Sequence, residues 1–497
     1  MWSASVVSAE LPTLGVGAVY SAALEPLLER HPELFPVLEV EPQTTWIKVP
    51  GVGQPYHVNR AVLEHIARLP GRKIVHSVGT PVGGTVPPEP AQLERLRETI
   101  AYLDSPWASD HLSFNQTPEF ATGFFLPPRQ TQQGLDTATA SIRVLQAALR
   151  VPIAVETGVS YLRPRADELP DGEFVARVVE GADCGLLLDL HNVYCNSRNR
   201  RQPLDEYLGQ LPLDRVWEIH LAGGLEVDGF WLDAHSGAIP DALCAVAEQL
   251  VPRLPNLKAI VFEIFPSFVP VVGLELVREQ MERLHALWAL RSQEPEASPR
   301  PIRVQHEGNT GAGAEPAEWE RALGRLVIGR PADDELSREL AGEPGVRIVQ
   351  GLIHEFSASM IVGVLRLTSR LLMLALGPQA FRTILNDYWA KTPPQMYATL
   401  EAEAFACHLE ALNLKVPHLA KLIEFERAGT ATLTDGQARV VQFEFEPLPL
   451  LRALAEGRLP DEPGRPGCYE IELTPDDGAV SVTGLDPQAL QQAFPFH

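Results

Sequence analysis

Residues 218–224 read Glu218-Ile219-His220-Leu221-Ala222-Gly223-Gly224, and the chain runs on to Trp231-Leu232-Asp233-Ala234-His235-Ser236-Gly237. The first part has the pattern of a strand that ends in a histidine and a glycine turn. The second is a loop carrying Asp-x-His. Imidazole beside carboxylate at a strand end is ligand chemistry for a metal. The same ending recurs along the chain, and that recurrence decides the fold. Short β-branched runs at 14–20, 37–43, 73–79, 107–114, 152–158, 185–192, 215–222 and 259–265 alternate with helical patterns at 90–103, 133–149, 172–181, 239–250 and 273–290. Such alternation demands parallel pairing, because each helical crossover returns the next strand in the same direction. Eight near-regular units in the first 290 residues predict a closed (β/α)8 TIM barrel, an α/β fold, in preference to an open doubly wound sheet.

The pattern changes after the barrel. The polar, proline-containing stretch at 291–316 reads as a linker. Helices are expected at 319–328, 334–340, 349–376, 379–392, 395–412 and 416–428, with Pro417 in the first turn of the last. Strands follow at 438–446, 469–473 and 480–482. The expected organisation is a barrel over 1–290, a linker over 291–316, a helical domain over 317–430 and a β-rich module over 431–497.

Composition narrows the partners. The chain has 497 residues, with 41 Lys+Arg against 64 Asp+Glu, a formal charge of -23. Such a surface repels phosphate backbones, so no nucleic-acid partner is expected. The five cysteines are scattered, odd in number and contain no C-x-x-C, which suits a reducing cytoplasm. No signal peptide is read in the first eleven residues. The most apolar run, 361–377, contains Arg366 and Arg370 and reads as a buried helix, so no membrane span is expected.

Active-site groups of such a barrel stand at the C-terminal ends of its strands and in the loops that follow. The third strand offers His76, the fourth Asp110 and His111, the fifth Glu156, and the sixth Asp189 and His191. The seventh offers His220, with Asp233 and His235 in its loop, and the eighth offers Glu263. A lone buried histidine is usually a satisfied core residue, and a lone glutamate in a strand is usually an ion-pair partner. Here the carboxylates and imidazoles converge with no comparable set of lysines or arginines to neutralise them. Buried charges are costly unless paired or bound to metal, so a cation cluster is the simplest solution. Imidazole with carboxylate suits iron, manganese or zinc. Eight or nine ligands suffice for two or three ions. One partition gives His76, His111 and Glu156 to the first, Glu156, Asp189, His220 and Glu263 to the second, and His191, Asp233 and His235 to the third. Asn192, Tyr194, Asn196 and Arg198 follow the sixth strand and are candidate substrate-binding residues, although Asn and Ser there are also ordinary turn formers. Cys195 lies nearby without an evident base partner.

The motifs HSVG, SDHLSF, VET, LLLDLHNVYCNS, EIHLAGG, W-L-D-x-H and F-E, in that order, resemble the DUF692 family over roughly residues 10–290. These are multinuclear non-haem iron-dependent oxidative enzymes that modify ribosomally made peptides. The resemblance implies a xylose-isomerase-like barrel and two or three irons. It implies ligand roles for His76, His111, Glu156, Asp189, His220, Asp233, His235 and Glu263, with Asp110 and His191 as further candidates for catalytic roles. It also implies a precursor peptide as substrate, O2 as oxidant and reaction at a peptide cysteine. Residues 388–394 (YWAKTPP) and 416–428 (VPHLAKLIEFERA) look like DUF2063 proteins, the usual separate partners of these enzymes. Fusion of enzyme and partner would explain the chain's length and would replace a separate partner protein. Two other enzymes share the expected barrel. A zinc phosphodiesterase of the endonuclease IV type is opposed by the charge of -23. A sugar isomerase gives no reason for the C-terminal region. A peptide-binding scaffold with vestigial metals is opposed by the complete ligand set.

Overall fold

The computed structural model describes residues 11–49, 53–291, 314–462, 464–476 and 479–482. The first ten residues, most of the expected linker at 291–316 and the last fifteen residues lie outside them.

Eight parallel strands close into a barrel: β1 (Gly15–Val19), β2 (Val37–Val40), β3 (Arg72–Ser77), β4 (Ala108–His111), β5 (Ile153–Glu156), β6 (Gly185–Asp189), β7 (Val216–Ala222) and β8 (Ala259–Glu263). β1 closes the ring by pairing with β8, Gly15 opposite Ala259, and with β2, Gly17 opposite Val37. All eight expected strands are present. Several end earlier than expected, because the last residues of each apolar run already belong to the following loop. β2 stops at Val40, ahead of a 3-10 turn at Pro42–Thr45. β6 stops at Asp189, where a helix, Leu190–Arg198, begins at once.

Side chains two apart on a strand share a face. That alternation sorts the barrel interior into an apolar floor and a polar top. Val37, Ile74, Trp107, Ala154, Leu187, Trp217, Ala259 and Val261 form one fully buried cluster. Two residues further along their strands stand Glu39, His76, Ser109, Glu156, Asp189 and Glu263. The floor needs room for indole rings: a Cβ on Gly185 would lie 2.2 Å from the ring of Trp217.

The contacts divide the chain into two compact units, 1–44 with 67–119 and 125–349, and 45–66 with 120–124 and 350–497. The first therefore extends past the boundary expected at residue 317. Helices Pro316–Val327 and Glu335–Leu340 belong with the barrel. Trp319 Nε1 donates to Pro127 O at 3.0 Å, the Thr85 N–H donates to Glu320 at 2.8 Å, and Arg165 pairs with Glu339 at 2.8 Å.

The second unit has a single core. Leu372, Tyr388, Phe405, Leu422 and Phe425 from its helices pack with Val441, Phe443, Ile471 and Leu473 from a three-stranded sheet, Arg439–Phe445, Pro466–Asp476 and Ala479–Val482. The helical and β-rich parts, expected as separate modules, thus share one interior. A short helix, Leu448–Ala455, was not expected. The last long helix starts after Pro417, at Leu419, and runs on to Asp435.

The run expected as one helix at 349–376 is two, Pro344–Val364 and Arg366–Leu376, bent by 107°. No single described helix is long and apolar enough to cross a membrane. The break has a physical cause. Glu426, buried in the core, accepts from the N–H groups of Leu367 and Thr368 at 2.6 and 3.0 Å, at the start of the second helix. A carboxylate there satisfies donors that a helix N-terminus otherwise leaves open. Glu426→Ala is expected to cost about 2 kcal/mol by orphaning those donors, read from denaturant unfolding followed by circular dichroism. Burial pushes Glu426 up to about 7, against the hydrogen bonds from Thr368 and Leu367. A raised folded value means stability that is present in acid and lost as pH rises. Relative to Glu426→Gln, the native protein should therefore lose stability between its ordinary value of 4.5 and about 7. A flat difference across that window would contradict the assignment.

Candidate metal centre

The polar top of the barrel brings together eight residues: His76, His111, Glu156, Asp189, His220, Asp233, His235 and Glu263. Glu156 Oε2 stands 3.3 Å from His76 Nε2 and 3.0 Å from His111 Nε2. Glu263 stands 3.1 Å from His220 Nδ1 and 3.5 Å from His235 Nε2. Asp233 Oδ1 stands 3.0 Å from His235 Nε2 and 2.9 Å from His191 Nδ1. Among the described residues five sets have ligand atoms within 4.8 Å of one another: His76, His111, Glu156; Glu156, Asp189, His220; Asp189, His235, Glu263; His191, Cys195, Asp233; and Glu39, Glu218, His220. Glu156 and Asp189 each belong to two sets, so the sets adjoin.

The donors suit cations. Glu156 Oε2, Asp189 Oδ2, Glu263 Oε2, His220 Nδ1 and His235 Nε2 are buried and lack a hydrogen-bond partner among the described residues. The ion-pair partners of Glu156, Asp233 and Glu263 are all histidines. Orphaned buried lone pairs of this kind are costly, and a bound cation would satisfy them. Hard oxygen donors mixed with imidazole, with a single thiol, Cys195, in one set, fit iron, manganese or zinc.

Charge alone already distorts the protonation of the set. Burial opposes protonation of His76, yet the hydrogen bond to Glu156 and the charges of Glu39 and Glu156 lift it to about 10. Burial likewise opposes the charges of Asp233 and Glu263, which lift His235 to about 10. Burial would raise Glu156, but the neighbouring imidazoles of His111 and His76 hold it at about 2. Burial and the charges of Glu263 and Asp233 push Asp189 well above the carboxylate range.

The remaining expected site residues fall elsewhere. His191 is on the helix Leu190–Arg198, not on β6, and is fully buried. Its Nδ1 faces Asp233 and its Nε2 accepts from Trp231 Nε1 at 3.3 Å. Both ring nitrogens are thus occupied by protein, and His191 orients Asp233. The expected grouping of His191 and Asp233 recurs in the set His191, Cys195, Asp233, while His235 groups with Asp189 and Glu263. Asp110 accepts from the Thr80 hydroxyl and, at 2.8 Å, from the His111 N–H, so it supports His111 from behind. Asn192 and Asn196 are buried and tie down the loop after β5. Asn192 donates to Thr157 O at 3.1 Å and Asn196 to Gly158 O at 3.0 Å, while the Ser160 N–H donates to Asn196 at 2.7 Å. Asn192 also lies 3.5 Å from Glu156. Tyr194 and Arg198 stand further out, with Arg198 stacked over Tyr194 and Trp231. Cys195 is buried 3.7 Å from His191 Nε2.

Sequence reasoning missed Glu39 and Glu218. Both are fully buried, Glu39 with its carboxylate 3.1 Å from His220 Nε2. The available signal was a glutamate in inward register within the apolar run Val37-Leu38-Glu39-Val40. It also missed two aromatic rings. Phe125 stacks on His111 at 3.9 Å between ring centroids, and Phe265 lies over His235 at 4.6 Å.

Residues 15–278 match the family described as RiPP precursor modification enzyme MbnB/TglH/ChrH. The chain belongs to this family. The match covers the whole barrel, and the family (DUF692) is the one whose motifs the sequence carries. Among curated relatives, the UPF0276 protein of Chromobacterium violaceum is 32% identical over 230 residues, 45% of this chain and 82% of that protein. That of Anaeromyxobacter sp. is 32% identical over 250 residues, 49% of this chain and 85% of its own length. That of Streptomyces avermitilis is 30% identical over 232 residues, and the chain spans about half, 47%, of its length. A xylose isomerase domain protein from Planctomyces limnophilus is similar with a TM-score of 0.37 and 14% identity, over 56% of this chain and 97% of its own. MbnB/TglH/ChrH enzymes act on RiPP precursors, which are ribosomally made peptides, so the buried polar set lies in an enzyme barrel.

Loading the metal-free protein with Zn2+ in weak buffer at pH 8 should acidify the solution, as protons held by His76, His220 and His235 are displaced. Apparent affinity should fall as the pH is lowered, because the imidazoles must be deprotonated to bind. Loading without proton release would contradict these assignments.

Proposed function

We propose that this chain is a multinuclear iron enzyme that uses O2 to modify a ribosomally synthesised precursor peptide at cysteine. The observation that carries the reading is the adjoining of three buried ligand sets through Glu156 and Asp189 in a member of a precursor-modifying family. The residues that would hold iron are His76, His111, Glu156, Asp189, His220, His235, Glu263 and Asp233. Bound iron would supply electrons for O2 and a site for a substrate thiolate, whose ionisation a cation favours.

The protein's own groups do the rest. Glu156 holds two imidazoles at a shared oxygen, and Asp189 is fixed by accepting from the Asn192 N–H at 2.9 Å. His191 and the hydroxyl of Tyr161, which accepts from the Asp233 N–H at 3.1 Å, fix the loop that carries Asp233. Preorganisation of this kind keeps the set from collapsing or drifting when charge changes during reaction. Phe125 and Phe265 cover the two imidazoles that are not fully buried, His111 and His235, and limit water there. Phe265, 46% exposed, offers an apolar face to an entering peptide.

The second unit is proposed to recruit the peptide, as DUF2063-like proteins do for their enzymes. The motif residues Tyr388, Trp389 and Phe425 are buried and build its core, so recruitment falls to its surface. The strand Arg439–Phe445 lies at the edge of the described sheet with Val440 exposed, which suits strand addition by an extended peptide. A peptide held by the same chain that carries the metal set is presented at raised effective concentration. The five cysteines, all free, suit a reducing cytoplasm.

Co-expression of precursor with His220→Ala or Asp189→Ala enzyme should abolish the O2-dependent mass change that the native enzyme produces. Unchanged modification by both variants would overturn the proposal.

A further inference from the structure

His220 differs from the other two innermost imidazoles in how its ring is turned. His76 and His111 direct Nε2 at Glu156. The His76 Nδ1 faces the Ser109 hydroxyl at 2.9 Å, and the His111 Nδ1 faces Ser77 O at 3.3 Å with the Asp110 carboxylate further off at 3.8 Å. His220 is reversed. Its Nδ1 stands 3.1 Å from Glu263, on the side of the ligand sets, and its Nε2 faces Glu39 at 3.1 and 3.3 Å from the two carboxylate oxygens. A neutral imidazole has one proton and one lone pair. If the lone pair on Nδ1 goes to a cation, the proton sits on Nε2 and needs an acceptor.

We propose that Glu39 is a positioning residue: its buried carboxylate takes the Nε2–H of His220 and commits Nδ1 to the metal set with Glu156, Asp189 and Glu263. The inference rests on the metal reading of the centre given above. With Glu218 and His220 the same carboxylate brings three donor atoms within 4.8 Å of one another, a geometry that could also seat an ion. Glu39 is fully buried on β2, its ion-pair partner is His220, and it stands opposite Ile74, two residues before His76 on β3. Glu218 closes the same chamber from β7. Its Oε1 is 3.8 Å from His220 Nε2, and its Oε2 accepts from Trp107 Nε1 at 3.0 Å. Trp107 belongs to the apolar floor, so the pair is kept from water and their interaction is little screened. A carboxylate behind a ligating histidine fixes its tautomer and ring angle and makes it a stronger donor. The hydroxyl behind His76, and the carbonyl and more distant carboxylate behind His111, do this less. His220 would therefore be the most electron-donating imidazole of the three toward a bound ion.

Glu39→Gln removes the charge while keeping an oxygen that can accept from Nε2. In anaerobic chelator titrations of iron-loaded full-length protein, one class of ion should leave the variant at about 10–100-fold lower chelator concentration than in the native protein. The other ions and the circular dichroism spectrum should be unchanged. Identical titrations for native and variant protein would overturn the role of Glu39 while leaving the metal reading standing. A native protein that holds no metal would overturn both. If the variant fails to fold, a crystal structure of the loaded native protein decides. Ligation of His220 through Nδ1, with Nε2 on Glu39, supports the proposal. Ligation through Nε2, or an ion seated between Glu39 and Glu218, overturns it.

Discussion

The structure turns on one electrostatic constraint. Carboxylates from five of the eight barrel strands or their loops converge at one end of a closed sheet, and their ion-pair partners are imidazoles. Bare, such a set is unfavourable in a dry interior, because each charge has lost water without gaining a full counter-charge. The closed parallel sheet makes the convergence unavoidable. Every strand points the same way, so the last inward residue of each meets the others at one level. The tryptophan floor beneath that level keeps the charges from sinking into the core. The family membership of the chain and the layout of its ligand sets are thus two views of a single geometry.

Much of the barrel could be read from sequence, for a definite physical reason. Parallel strands buried on both faces are short apolar runs, and the runs holding His76, Glu156, His220 and Glu263 each end in a polar residue that the core cannot use. Candidate ligands at strand ends were legible as a converging group because the strand sets their direction. His191 was harder: the apolar run through Leu190 conceals the point at which Asp189 ends the strand and caps a helix, and one residue of helix turns the ring toward Asp233. Glu39 was harder still, since a single glutamate inside Val37-Leu38-Glu39-Val40 also has the ordinary reading of a buried ion pair. Asn192 and Asn196 have the composition of a pocket lining, but they serve as clips for the loop after β5.

The C-terminal region shows the opposite balance. Its helices were legible from periodicity, yet their tertiary arrangement was not. The bend at Leu365 depends on Glu426, some sixty residues later in sequence, and no local pattern announces such a cap. The sheet and helices were separable by composition, but Phe425 and Phe443 meet in one interior, 5.9 Å apart. The two motif stretches that suggest a partner-like domain supply many of its buried residues, while Lys391, Pro417, Ala420 and Glu424 within them are exposed.

A centre of this construction needs several cations to be neutral, and that is the claim most open to direct measurement. Elemental analysis of protein purified anaerobically from iron-replete cells should give two to three irons per chain. A value near one metal per chain, or zinc in place of iron, would contradict it.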